Sequence, residues 1–134
     1  MSGIIWINEG DAILIHERLL SLNGGAVGIR DRGLLQSALA RPQQLYNYGD
    51  DPTITDLAAS YIMGIVKNHP FIDGNKRVGF GVGVLFLELN DHIFTANAIA
   101  AADTILAVAA GEMNETGLAN FLLQSSAPFI LGQK

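Results

Sequence analysis

Residues 76–90, KRVGFGVGVLFLELN, decide between an all-helical fold and one that contains a sheet. Gly79, Gly81 and Gly83 alternate with apolar residues, which is the period of a β-strand, and glycine is a poor residue in helix interiors. However, the stretch continues without a break for about fifteen residues, which is long for a strand. We therefore predict a buried helix whose small residues let neighbouring helices approach closely, with a strand as the alternative.

The segments on either side also have helical periodicity, and capping residues delimit them. Asparagine, aspartate or threonine stands at the start of each segment, and glycine, asparagine or proline follows most of them. The predicted helices comprise residues 9–22, 32–41, 55–68, 75–90, 98–110 and 115–125. Together they predict an all-α, single-domain bundle of about six helices with short connections.

Two segments are predicted to lie outside these helices. Pro42 is expected to end the second helix, and residues 42–53, rich in Pro, Tyr, Asn and Asp, are predicted to form a loop. Residues 127–134 are expected to be a loose C-terminal tail that follows a domain of residues 1–126. No pair of strands is predicted.

The composition indicates a compact domain. The chain has 134 residues, 49% of them apolar, so a core can form and disorder is disfavoured; there is no cysteine for disulfides or thiolate metal sites. Residues 1–10 lack the basic region of a signal peptide, and the longest apolar run, Val78–Leu87, is too short to span a bilayer. We expect a cytoplasmic protein that does not enter a membrane.

The charge distribution favours a small anionic ligand. The net charge is −5, whereas proteins that bind nucleic acid usually have a basic face, so no direct nucleic-acid contact is expected. Three of the eight cationic residues, Lys67, Lys76 and Arg77, nevertheless lie within or beside one short motif. A basic locality in an acidic chain suits a compact anion better than a long polyanion.

That motif is HPFIDGNKRVG, residues 69–79. Five residues within nine positions can contact phosphate, metal or a transferable proton. They are His69, Asp73, Asn75, Lys76 and Arg77. Taken singly, each has an ordinary explanation as a turn, capping or solvated residue, but their joint occurrence favours a site.

The start of the helix after the motif is a predicted phosphate site. Gly74 and Asn75 lie where a loop enters a helix, and the unpaired N–H groups and positive dipole end found there attract anions. Lys76 and Arg77 occupy the first turn, where cations are unfavourable with the helix dipole. A bound polyphosphate explains their presence.

Two further residues suit phosphoryl or nucleotidyl transfer. Asp73 offers a hard oxygen ligand for Mg²⁺ held together with a nucleotide. His69 can accept a proton from a hydroxyl group near neutral pH. By contrast, His16 has no partner at metal-ligand spacing, and we expect it to have a surface or packing role on the first helix.

The motif resembles that of the Fic/Doc superfamily, His-Pro-Phe-x-(Asp/Glu)-Gly-Asn-(Gly/Lys)-Arg. Residues 28–43, GIRDRGLLQSALARPQ, resemble the upstream helix of the Doc branch, and residues 107–122 resemble its C-terminal segment. Two positions depart from the Fic pattern: Lys76 replaces a glycine and Phe80 replaces a second arginine. Both departures match the Doc pattern, so the resemblance is to the Doc (death-on-curing) toxins.

The resemblance implies a function. Fic enzymes transfer AMP from ATP to a protein hydroxyl group, whereas Doc proteins transfer the γ-phosphate of ATP to a threonine of the translation factor EF-Tu and so stop translation. Doc proteins are the toxins of toxin–antitoxin pairs, and the C-terminal segment of the antitoxin folds onto the toxin. By this resemblance ATP is the substrate, Mg²⁺ the cofactor, and an antitoxin and EF-Tu the partners.

The same resemblance assigns roles to residues. His69 corresponds to the general base, Asp73 to the Mg²⁺ ligand, and Phe71 to a core anchor. The phosphate cradle corresponds to Gly74, Asn75, Lys76 and Arg77. Two alternatives stay open: an AMP transferase of the Fic type, and a non-catalytic module that binds a partner helix in an apolar groove.

Overall fold

This computed structural model describes residues 3–129, which contain six helices and one pair of short strands. This confirms the predicted all-α fold. The helices are α1 (Glu9–Asn23), α2 (Arg32–Tyr48), α3 (Ile54–Asn68), α4 (Asn75–Leu89), α5 (Ala98–Ala109) and α6 (Glu115–Gln124). The strands are β1 (His92–Phe94) and β2 (Ser126–Pro128). None of the helices formed by residues 3–129 has the length and hydrophobicity needed to cross a membrane.

The core is built around α3, which packs against α2, α4 and α6. Every residue from Leu57 to Val66 is buried. The stretch KRVGFGVGVLFLELN is helical up to Leu89 and forms α4, so the helical prediction is confirmed. Gly79 and Gly83 are four positions apart and therefore share the helix face toward α3, where a Cβ on Gly83 would lie 2.5 Å from the Ile62 side chain. These glycines allow the two helices to approach closely.

The predicted end of the second helix at Pro42 is wrong, because α2 continues to Tyr48. A proline inside a helix removes one backbone hydrogen bond and costs about 3 kcal/mol. Packing offsets this cost here: Pro42 is buried, and beyond it Leu45 contacts the core while Tyr46 meets the Trp6 ring edge-on at 5.6 Å. The loop is therefore limited to residues 49–53 instead of 42–53.

The expected absence of strands is also wrong. β1 and β2 pair antiparallel, with Ile93 opposite Ala127, and the N–H of Phe129 donates to the carbonyl of Asp91 at 2.7 Å. Part of the predicted loose tail, Ala127 and Pro128, is thus paired, and residues 130–134 lie outside the described residues. Three-residue strands are too short to leave an alternating pattern in the sequence.

Tyr61, at the centre of α3, anchors the N-terminal segment. It is fully buried, and its hydroxyl oxygen accepts a hydrogen bond from the N–H of Ile7 at 2.9 Å. Burial raises the pKa of Tyr61 to about 12, because the phenolate would lose its hydration. The buried ring therefore stays protonated at pH values where an unfolded tyrosine ionises.

This difference predicts a loss of stability at alkaline pH. An unfolded tyrosine releases its proton near pH 10 and folded Tyr61 only near pH 12. The stabilisation that protonated Tyr61 gives the folded state is therefore complete below pH 10 and is lost as pH rises through 12. Between about pH 9 and about pH 11, the native chain should lose about 1 kcal/mol of unfolding free energy relative to Tyr61→Phe. Urea unfolding at each pH measures this difference.

The matched control is Tyr48→Phe, because Tyr48 is 87% exposed. That variant should follow the pH dependence of the native chain. The same alkaline slope in Tyr61→Phe and the native chain would contradict the assignment. Below pH 9, Tyr61→Phe should be about 1–3 kcal/mol less stable than the native chain, because the Ile7 N–H then has no acceptor.

Candidate functional site

The connection between α3 and α4, residues 69–74, turns at both of its ends. His69 ends α3 in left-handed backbone geometry (φ 53°, ψ 52°), and its N–H donates to the carbonyl of Ile65 at 3.1 Å. Gly74, the residue immediately before α4, is also left-handed (φ 79°, ψ 17°). Left-handed geometry is uncommon for a residue with a side chain, so contacts elsewhere must hold His69 in place. The side chain of His69 is exposed.

Arg30 supplies those contacts. Its guanidinium donates to the carbonyl of Asn68 at 2.8 Å and to that of His69 at 2.7 Å. The backbone N–H groups of Arg30 and Asp31 both donate to the carbonyl of Pro70, at 2.7 and 3.0 Å. A cation at the carboxyl end of α3 also suits the dipole of that helix. Arg30 therefore fixes the backbone from which the His69 side chain extends.

Phe71 and Asn75 lock the middle of the connection. Phe71 is fully buried, which fits its expected role as a core anchor. Asn75 is 5% exposed. Its Oδ1 accepts from the N–H of Phe71 and its Nδ2 donates to the carbonyl of Phe71, both at 2.9 Å. The Asn75 side chain thus faces the connection, so what Asn75 can offer an anion is its backbone N–H.

Asp73 is exposed but well oriented. Its Oδ1 accepts from the N–H of Gly74 at 2.8 Å, and its Oδ2 accepts from the N–H of Ala26 at 3.3 Å. Gly25 makes room for this carboxylate: its φ is 124°, and a Cβ there would lie 2.9 Å from Oδ2 of Asp73. The segment before α2 therefore positions the carboxylate from outside the motif.

The amino end of α4 differs from those of the other helices. Each of the other five described helices has a side-chain N-cap, provided by Asn8, Asp31, Thr53, Asn97 and Asn114. Gly74 has no side chain to do so. Within residues 3–129, the first N–H groups of α4 have no side-chain acceptor. These donors and the positive end of the helix dipole can bind an anion.

One cavity of about 300 Å³ brings all the predicted site residues together. It is lined by His69, Ile72, Asp73, Gly74, Asn75, Lys76 and Arg77. Lys76 and Arg77 are exposed and take part in neither of the ion pairs formed by the described residues. The cavity thus combines free N–H donors, two cations, one carboxylate and one imidazole, which suits a phosphate-bearing ligand.

The donor set also indicates which metal could bind. Residues 3–129 contain no group of three or more acidic, His or Cys side chains that could hold an ion by themselves. A single carboxylate, Asp73, instead matches the way Mg²⁺ is held with a nucleotide, through one or two carboxylates and the phosphate oxygens. The residues present therefore fit Mg²⁺ that arrives with the nucleotide.

Sequence reasoning missed two residues that hold the site. The sequence predicts a surface or packing role for His16, and its burial fits packing, but the bond of its Nε2 to the backbone oxygen of Asp73 is not predicted. Its position was the available signal, because Ala12, His16 and Leu20 follow one helix face at intervals of four. Arg30 gave no such signal, because its contacts to Asn68 and His69 join distant parts of the chain.

Arg32, the first residue of α2, forms an ion pair with Glu9 at 2.6 Å. By donating this hydrogen bond, Arg32 lowers the pKa of the Glu9 carboxyl group.

Comparison with known proteins agrees with this geometry. The chain is 42% identical over 69 residues to "Toxin Doc" of Mycolicibacterium smegmatis, a match of 50% of this chain that spans about half (52%) of that protein. It is 27% identical over 117 residues to "Protein kinase doc" of Escherichia phage P1, covering 87% of this chain and 91% of that protein. Both names support the Doc branch. The family model described as "Fic/DOC family" matches residues 6–87, which is more than half of the chain and includes the whole cavity, so the chain belongs to the Fic/DOC family.

Proposed function

We propose that this chain is the toxin of a toxin–antitoxin pair and that it transfers the γ-phosphate of ATP to a hydroxyl group of a protein. The observation that carries the proposal is the cavity at the uncapped start of α4, which His69 and Asp73 line together with two cations and free N–H groups. The names of the relatives, a toxin and a protein kinase, support the same function.

The phosphate groups of ATP would bind at the start of α4. The backbone N–H groups of Asn75, Lys76 and Arg77 would donate to phosphate oxygens, and the two cationic side chains would neutralise their charge. Asp73 would hold Mg²⁺, which supplies further charge neutralisation when bound. Catalysis of this kind depends mainly on positioning and electrostatic stabilisation.

His69 would act as the general base. Its Nδ1 lies 3.4 Å from the carbonyl of Val66, and donation from Nδ1 leaves Nε2 as the proton acceptor. Nε2 would take the proton of the target hydroxyl while that oxygen attacks the γ-phosphorus. The bond from the γ-phosphorus to the bridging oxygen then breaks, and ADP leaves. Arg30 would keep His69 in position, because its guanidinium binds the backbone carbonyls of Asn68 and His69.

Phe80 favours transfer of the γ-phosphate over transfer of AMP. In Fic enzymes, by the resemblance described above, an arginine at this position helps to orient ATP for AMP transfer. Here Phe80 is half-buried and packs edge-on against Phe94 with 5.3 Å between ring centres. It can offer no cation to a second phosphate group.

The proposed partners are an antitoxin and EF-Tu. An apolar groove of about 490 Å³ adjoins the cavity, and Lys76 and Arg77 line both. An antitoxin C-terminal segment in this groove would cover the phosphate site and thereby inhibit the toxin. The proposed target is a threonine of EF-Tu, which places the action of the toxin in the cytoplasm.

A label-transfer assay tests the proposal. The purified chain is mixed with Mg²⁺, a bacterial lysate and ATP labelled at either the α- or the γ-phosphate, and the control is the heat-denatured chain. We expect the γ-label, and no α-label, on one protein of the size of EF-Tu. An α-label would instead identify an AMP transferase. No label from a folded chain would favour the partner-binding module.

A further inference from the structure

One side chain outside the motif contacts two of its residues. His16, on α1, is 3% exposed, and its ring stacks on that of Phe71 with 4.1 Å between ring centres and an interplanar angle of 14°. Its Nε2 lies 2.9 Å from the backbone oxygen of Asp73. The contact spans 57 positions of sequence, and the proposed function assigns His16 no role.

The direction of this hydrogen bond is fixed by chemistry. A carbonyl oxygen only accepts, so Nε2 of His16 must carry the hydrogen and donate it. The acceptor belongs to the peptide unit between Asp73 and Gly74. The N–H of that same unit donates to Oδ1 of Asp73 at 2.8 Å. Because a peptide unit is planar, the bond to His16 also sets the direction in which the Gly74 N–H points.

This peptide unit needs an external hold. Gly74 accepts a much wider range of backbone angles than other residues, so the peptide before it can rotate at low steric cost. Rotation would take the oxygen away from His16 and the N–H away from the Asp73 carboxylate. The carboxylate would then lose its bond at 2.8 Å, the shorter of its two, and would retain only the bond of 3.3 Å from Ala26.

We propose that His16 is a positioning residue whose Nε2–H sets the Asp73 carboxylate in the orientation required for Mg²⁺ bound with ATP. This inference rests on the proposed function. Groups that orient a metal ligand typically change metal affinity about 10–100-fold when they are removed. A buried histidine that only fills space would affect folding stability without a specific effect on Mg²⁺.

Two variants separate the hydrogen bond from the ring contact. His16→Phe keeps a ring against Phe71 but removes the donor. His16→Gln keeps an N–H donor near the position of Nε2 but removes the ring. ATP affinity is measured by calorimetry for each folded chain over a series of Mg²⁺ concentrations and in EDTA. The readout is the Mg²⁺ concentration at which half of the increase in ATP affinity, from its value in EDTA to its value at saturating Mg²⁺, is reached.

For His16→Phe we expect this Mg²⁺ concentration to rise about 10–100-fold, with ATP affinity in EDTA unchanged. His16→Gln should stay near the native value. The inference is overturned if folded His16→Phe has the native Mg²⁺ requirement, or if both variants lose ATP affinity equally in EDTA. If His16→Phe does not fold, His16→Met, which is apolar and has no donor, decides in its place.

The outcome also separates this inference from the proposed function. A native chain that does not bind ATP, or binds it without regard to Mg²⁺, would contradict the proposed function itself. A native chain that requires Mg²⁺, together with a His16→Phe variant that requires it equally, would overturn only the role of His16.

Discussion

Replacing His69 with alanine should lower the rate of phosphate transfer about 10²–10⁴-fold, because the target hydroxyl then has no base to accept its proton. The exposed side chain makes little contribution to packing, so the unfolding free energy should change by no more than about 1 kcal/mol. Transfer of γ-label and unfolding in urea measure the two quantities. Expression of His69→Ala should also no longer arrest growth.

His92→Ala is the matched control for this prediction. His92 lies in β1, and its Nδ1 is bonded to the carbonyl of Asn90 at 2.8 Å, outside the cavity that His69 lines. This variant should transfer phosphate at the native rate. A His69→Ala chain that remains fully active and toxic would show that another group accepts the proton.

Asn75→Ala should be among the most destabilising single changes in the motif. It would leave both the N–H and the carbonyl of Phe71 without their partners in a buried position. Each unpaired buried group costs about 1–3 kcal/mol, so we expect a loss of about 2–4 kcal/mol in unfolding free energy. Nucleotide binding should also be lost, because the connection that shapes the cavity is released. Urea unfolding and calorimetric titration with ATP test both effects.

Asn75 has a bracing role, because its side chain holds the Phe71 backbone through two hydrogen bonds. The variant Asn75→Asp distinguishes this bracing role from helix capping. An acidic residue in the first turn normally stabilises a helix through the dipole. Here the aspartate would accept from the Phe71 N–H but oppose the Phe71 carbonyl, so it should destabilise the chain. Asn23→Ala is the control, because the Asn23 amide donates to a backbone carbonyl in an exposed position. A stabilised Asn75→Asp would contradict the bracing role.

Most helix boundaries could be predicted because they are set by neighbours in sequence. Asn8, Asp31, Asn97 and Asn114 each accept a hydrogen bond from an N–H three residues later, so their caps are local features. The boundary at Pro42 was mispredicted because its cost is offset by packing against distant residues. The strand pair was missed for a related reason, since it joins segments more than thirty positions apart.

The residues that line the site could be predicted from the sequence, but the residues that hold them in position could not. All of its predicted residues lie within nine positions, so the cavity follows once a loop joins two helices. The braces come from elsewhere: Arg30 holds the carbonyl of His69, and His16 holds that of Asp73. The sequence also did not reveal that the Asn75 side chain faces Phe71, because its orientation depends on the turn that the connection makes.

Because α4 has no side-chain cap, ligand binding at its start is linked to the stability of the folded chain. If phosphate oxygens accept from the free N–H groups of Asn75, Lys76 and Arg77, ATP completes the end of that helix. A ligand that binds only the native state adds about 2.7 kcal/mol to its stability at a concentration one hundred times its dissociation constant. The chain would then resist proteolysis where ATP is plentiful and lose that protection where ATP is scarce. Its lifetime in a cell would follow the energy supply.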